Sequence, residues 1–162
     1  MGDIVVQTTI ERTPDDVFAY LRRHDNQITW QAPNVLEVAV EPPGPSGLGT
    51  KVHKVRKTPM GRMAFTEEIT AFDATSRSWT ETTVSGGLRG TRVTWQVLES
   101  GSGADVRLSA EMHGAGFSRL LLRIIRKQAS RSWEGELAEL KRLLESGAGT
   151  GEDDQAGPTG TF

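Results

Sequence analysis

From Ile4 to Glu111 apolar residues recur at every second position over short runs, the period of β-strands, and from Phe117 to Glu145 the repeat lengthens to that of a helix. The first strand, Ile4 to Arg12, is rich in Val, Ile and Thr. It leads into RTPDD, where Thr13 can cap a helix, Pro14 can open it, and Asp15 and Asp16 fall in its first turn. That helix, PDDVFAYLRRHD, sets Val17, Phe18 and Leu21 on one side and is about three turns long. NQITWQAPN is irregular, with Pro33 ending whatever turn it forms. VLEVAVE then alternates Leu36, Val38 and Val40 against Glu37, Ala39 and Glu41, a strand with one wet face. PPGPSGLG reads as a loop, and TKVHKVRK after it is β-branched and basic.

The clearest alternation lies in RMAFTEEITAF, which predicts Met63, Phe65, Ile69 and Ala71 on one face, with Glu67 as the odd residue among them. SWTETTV, a turn at Gly86-Gly87 and RGTRVTWQVLES predict a hairpin whose second strand turns Val93, Trp95 and Val97 to one side. After GSG, ADVRLSAEM places Val106, Leu108, Ala110 and Met112 together. Short turns between successive strands imply an antiparallel meander. The helical stretch that follows is long enough to extend roughly 43 Å. The expected architecture is α+β: a curved, six- or seven-stranded antiparallel sheet wrapped around one long C-terminal helix, with two short helices after the first strand. Phe65, Val93, Val97, Leu108 and Leu140 are expected to be buried. Residues 1–146 are expected to form a single domain, and SGAGTGEDDQAGPTGTF, too polar to order itself, gives a disordered tail over 147–162.

TPDDVFAYL, TWQAPNVLEVAV with Trp30 and Pro33, GLGT at 47–50, EEITAFDATSRSWT, VLESGSGADVRLS and LAELKRLLE follow one another in an order that resembles the polyketide cyclase/dehydrase-like group of the START-like (SRPBCC) superfamily. The resemblance covers about residues 3 to 145. It implies the helix-grip fold shared with the birch-pollen allergen, and a cavity between sheet and long helix that commonly takes a lipid, polyketide or other apolar molecule. Such a fold does not imply one reaction.

The long helix thins at its centre. At about 100° per residue, Phe117, Leu120, Leu121 and Ile124 point well over 90° away from Trp133, Leu137, Leu140 and Leu144, and Ala129, Ser132 and Gly135 lie at the changeover. Small residues there leave volume unfilled, which points to a cavity wall. The alternative is a kink at Gly135, with Trp79 and Trp95 filling the space. The walls of the expected cavity are Trp30, Met63, Phe65, Glu67, Trp79 and Trp95, joined by Leu108, Met112, Gln128, Ala129 and Ser132.

A formal charge of −2, from 19 basic and 21 acidic residues, gives no overall field for nucleic acid. The chain has no cysteine, which excludes disulfides and thiolate chemistry. There is no secretory pattern at the N-terminus and no apolar run of about 18 residues, so a soluble, cytoplasmic protein is expected. One local charge feature stands out: in FSRLLLRIIRKQASR, Arg119, Arg123, Lys127 and Arg131 line one face, the pattern of a basic amphipathic helix able to touch anionic lipid weakly through residues 119–131. The alternative is a solvated face on a helix whose apolar side packs on its own sheet.

Chemistry has to come from residues that point into the cavity. Glu67, desolvated on an apolar face, could act as a general acid, or it could pair with Lys54 or Arg56 of the preceding strand. Glu81 shares a face with Trp79 and Thr83 and could be a second inward acid. His24, His53 and His113 lack ligand spacing, so neither a metal nor another cofactor is expected, and His53 is the best proton shuttle among them. GxSxG, HExxH, GxGxxG and P-loop patterns are absent. Two function classes follow. One is a carrier or sequestering protein for a small hydrophobic ligand. The other is a polyketide cyclase, aromatase or dehydratase using Glu67, Glu81 or His53 as acid or base.

Overall fold

The structure, a computed structural model, describes residues 4–114 and 116–147. Apart from Gly147, the expected tail lies outside the described residues. β1 (Ile4–Ile10) is followed by α1 (Pro14–Leu21), a 3₁₀ turn (His24–Asn26) and α2 (Gln27–Trp30). Then come β2 (Val35–Glu41), β3 (Lys51–Thr58), β4 (Gly61–Asp73), β5 (Ser78–Gly86), β6 (Arg92–Ser100), β7 (Gly103–Glu111) and α3 (Arg119–Glu145). The seven strands make one antiparallel sheet in the order β1-β7-β6-β5-β4-β3-β2. From β2 onward each strand pairs with the next, so short turns suffice, and only β1 reaches its partner β7 across the chain. The sheet curls into a half-barrel around α3, an α+β helix grip.

Local chemistry sets the element ends. Thr13 caps α1, its hydroxyl accepting from the Asp16 N–H at 3.2 Å behind Pro14. Ser118 caps α3 in the same way through the Leu121 N–H at 3.1 Å, so the helix starts two residues later than the apolar repeat at Phe117 predicts. The C-terminal half of α3 buries Leu137, Leu140 and Leu144 and is tied to β1 and the residues after it. Lys141 donates to the Thr9 carbonyl at 2.6 Å, the Glu11 N–H to Glu145 at 2.9 Å, and Arg12 to the Leu144 carbonyl at 2.9 Å.

Val93, Val97, Leu108 and Leu140 are buried in the core. Phe65 is only half-buried. Ala71 is exposed, because the β4–β5 register shifts between Ile69 and Ala71 and turns Phe72 inward in its place, against Phe18. A strict two-residue period does not foresee a bulge. At the other end of β4, Gly86 has φ +104 and packs so closely that a Cβ would stand 2.6 Å from the Ala64 carbonyl oxygen and 2.7 Å from Phe65 Cβ. Gly86→Ala is therefore expected to destabilise the protein by about 1–3 kcal/mol, read from thermal or urea melts, since both the backbone conformation and the β4 contact resist a side chain.

Candidate functional site

Where α3 leaves the core, it opens a cavity of about 130 Å³ against the concave face of β3 to β6. Met63 and Phe65 of β4, Val93 and Trp95 of β6, Met112, and Leu121, Ile125 and Trp133 of α3 supply an apolar wall. Ala129 and Ser132 face it from the thinned centre of α3, and Gln128 also lines it. Gly135 is exposed and outside it, and α3 runs unbroken from Arg119 to Glu145. At the open side lie the β3–β4 turn at Thr58 to Met60 and Ile124 of the helix.

Trp95 marks the boundary between cavity and core. It stacks on Trp79 at 5.8 Å and 9°, meets Trp30 edge-on at 5.9 Å and 89°, and Trp79 in turn touches Phe18 at 5.8 Å. Trp30, Trp79 and Leu108, expected in the wall, are buried behind this layer and do not line the cavity. The rings of Trp30 and Trp79 are the packing that holds Trp95 in place.

Part of the wall is polar and buried. Lys54 reaches across from β3 to Glu67, with Nζ 2.7 Å from Oε2, and both are buried. The Glu67 and Glu81 carboxyls face each other. Behind Glu81, His24 Nε2 stands 2.6 Å from Oε1 and the Trp79 indole N–H donates to the same oxygen at 3.0 Å. Burial pushes the Glu67 carboxyl up and the charge of Glu81 adds to this, the Lys54 ammonium only partly opposing them. Burial acts on Glu81 too, but the charges of Lys54 and His24, with hydrogen bonds from His24 and Trp79, outweigh it and hold that carboxyl well below the usual range. Two neighbouring carboxyls thus differ in proton affinity, Glu67 the more basic and Glu81 the more acidic.

The third acid/base candidate sits elsewhere. His53 follows Val52 and precedes Lys54 on β3, so the strand pleat turns it to the outer face of the sheet. There it is exposed and hydrogen-bonds Glu41 at 2.8 Å and Thr66 at 2.9 Å, away from the cavity. The buried histidine is His24, which no ligand spacing singled out. Its signal was helical: Val17, Leu21 and His24 continue one apolar stripe at four and then three residues. Gln27 and Gln31, one turn apart around α2, also line the cavity. A third buried acid, Glu136 of α3, accepts from Arg56 of β3 and from Asn34 at 2.9 Å, clamping the middle of the helix to the sheet beside the cavity.

The chain matches the model of the family described as polyketide cyclase / dehydrase and lipid transport over residues 1–145. Curated protein sequences give no match. Among solved structures it is similar to TTHA0849 from Thermus thermophilus, with a TM-score of 0.77 at 18% identity, covering 90% of this chain and 98% of that one. The KanY protein gives 0.72 at 18% identity, with 90% and 99% covered. Major latex-like protein 151 from Panax ginseng gives 0.64 at 18%, with 89% and 95% covered. At these identities the likeness is one of fold. The family match spans the sheet, the cavity and the whole of α3, and the chain belongs to the polyketide cyclase / dehydrase and lipid transport family.

Proposed function

We propose that this chain binds one small, mostly apolar molecule in the cavity between sheet and α3, with a hydrogen-bonding group of the ligand toward Lys54, Glu67 and Glu81, and acts as a carrier or sequestering protein. The observation that carries this reading is the wall itself: Met63, Phe65, Val93, Trp95, Met112 and Leu121 enclose space that a close-packed domain would fill, and the polar contacts cluster in one part of it. Cavities of about 150 Å³ accept a single benzene ring, so one ring matches the space as it stands and a longer molecule would extend past Met60 and Ile124. Native mass spectrometry of freshly purified protein tests this first, with a co-purified apolar molecule as the expected result. Titration with 2-naphthol, an aromatic ring system with one hydroxyl, should give saturable one-to-one binding with a dissociation constant of about micromolar order. No co-purified molecule and no saturation by millimolar naphthol would overturn the reading.

One observation favours a second reading, cyclase, aromatase or dehydratase chemistry: the raised Glu67 carboxyl beside the ionised Glu81 and its His24 partner is an acid/base pair facing the cavity. Glu67→Gln separates the two. It should leave naphthol binding within about threefold in either case, and it should abolish turnover of a polyketide-like substrate only if the chain is an enzyme.

A further inference from the structure

The mouth of the cavity carries exposed apolar residues where a folded domain normally shows polar ones. Leu120 is 69% exposed, Ile124 52% and Met60 50%. Leu120 and Ile124 lie on successive turns of α3, each one residue after a basic one, Arg119 and Arg123, with Lys127 continuing the basic row. At about 100° per residue the helix thus presents three strips side by side: the basic row, then Leu120 and Ile124, then Leu121 and Ile125 facing the cavity. The apolar strip sits between the charges and the opening. Across the mouth, the β3–β4 turn repeats the combination, with exposed Lys57 beside Pro59 and Met60.

The charge is one-sided. Between Met112 and Trp133 there are five basic residues and no acidic one, in a chain whose net charge is −2. Arg119, Arg123, Lys127 and Arg131 are exposed and form no ion pair among the described residues. No helix among the described residues is long and apolar enough to cross a membrane. A surface of exposed apolar side chains bordered by unneutralised cations fits a planar anionic partner that has an apolar layer just beneath its charges.

We propose that the cavity mouth docks on anionic lipid bilayers, with Leu120, Ile124 and Met60 entering the headgroup boundary and Arg119, Arg123 and Lys127 contacting lipid phosphates and carboxylates. Docking in this pose would bring the cavity opening against the bilayer, though the contact itself does not depend on what the cavity holds. Co-sedimentation of the full chain with vesicles tests it. The protein should pellet with phosphatidylcholine vesicles containing about 30% phosphatidylserine, poorly with phosphatidylcholine alone, and progressively less as salt rises from about 0.05 to 0.5 M. Arg119→Gln, Arg123→Gln and Lys127→Gln should each weaken binding roughly fivefold, and Leu120→Ser roughly tenfold. All four side chains are exposed, so melting temperatures should stay within a few degrees of the parent, which keeps a loss of binding from being a loss of fold. Equal binding to both vesicles, no binding to either at low salt, or unchanged binding of the four variants would each overturn the proposal. The 2-naphthol titration, run without vesicles, should be unaffected by the Arg119, Arg123 and Lys127 variants, so failure here and failure of the cavity reading are separate results.

Discussion

Lys54→Met is expected to lower stability at pH 7 by about 3–5 kcal/mol, the usual result of removing one partner from a buried ion pair. Lys54 is buried, and its ammonium opposes two buried carboxyls, pairing directly with Glu67 and lowering the proton affinity of Glu81. Methionine keeps most of the side-chain volume but leaves Glu67 and Glu81 facing each other without the cation. The pH dependence carries the sign. A carboxyl whose folded proton affinity is raised binds more protons folded than unfolded, so stability falls as pH climbs from its unfolded pKa to its folded one. Glu67 is such a group already, and loss of Lys54 raises it further. The variant should therefore regain part of its deficit when pH drops from 7.5 to 5.5. In the parent Glu81 behaves in the opposite way: its contribution is present above the ordinary carboxylate pKa near ~4.3 and fades only as pH falls below that, so it stays constant across the same interval. Urea midpoints at the two pH values measure both effects. Lys54→Met combined with Glu67→Met should recover much of the loss, because a buried pair replaced by apolar groups of similar volume is often neutral. A single variant as stable as the parent at pH 7.5 would show that the network carries no buried charge.

These contrasts follow from which features a one-dimensional pattern can carry. The strands from β4 to β7 and the length of α3 are written as periods of two and 3.6, and both were legible. The bulge that exposes Ala71 and turns Phe72 inward is not, because it arises from the pairing of β4 with β5 rather than from either strand alone. Glu67 was visible as an acid on an apolar face, with Lys54 and Arg56 of the preceding strand as alternative partners, and the structure pairs Lys54 with Glu67 and Arg56 with Glu136. His24 was not visible as part of the site, since its link to Glu81 spans 57 residues and depends on how the segment after α1 closes over the sheet. Along the chain alone, His53 ranks as the better shuttle only because the pleat that sends it outward is unassigned there. The exposed Leu120 and Ile124 show the same limit from the other side. Their spacing predicts an apolar face but not whether the sheet reaches far enough to cover it, and here it does not.

Ser132→Leu is expected to abolish 2-naphthol binding, at least a tenfold loss, while leaving stability unchanged or raising it by about 0.5–2 kcal/mol. Ser132 is half-buried on the cavity side of α3, in the same wall as Ala129 and Gln128 and opposite the β-sheet residues Phe65 and Trp95. In a close-packed core a leucine in place of serine would force neighbours off their rotamers and cost about 1–3 kcal/mol. In a cavity of about 130 Å³ the added carbons enter empty space and gain contacts with the apolar lining that the serine cannot make. The serine hydroxyl makes no hydrogen bond to another side chain among the described residues, so its removal strands no buried partner. Binding and folding should thus move in opposite directions, a result that neither a local packing defect nor a global loss of structure produces. Thermal melts and naphthol titration on the same preparation decide it. If stability falls by more than about 1 kcal/mol and binding falls only as far as unfolding explains, the space beside Ser132 is not the binding site and the proposed carrier loses its main support.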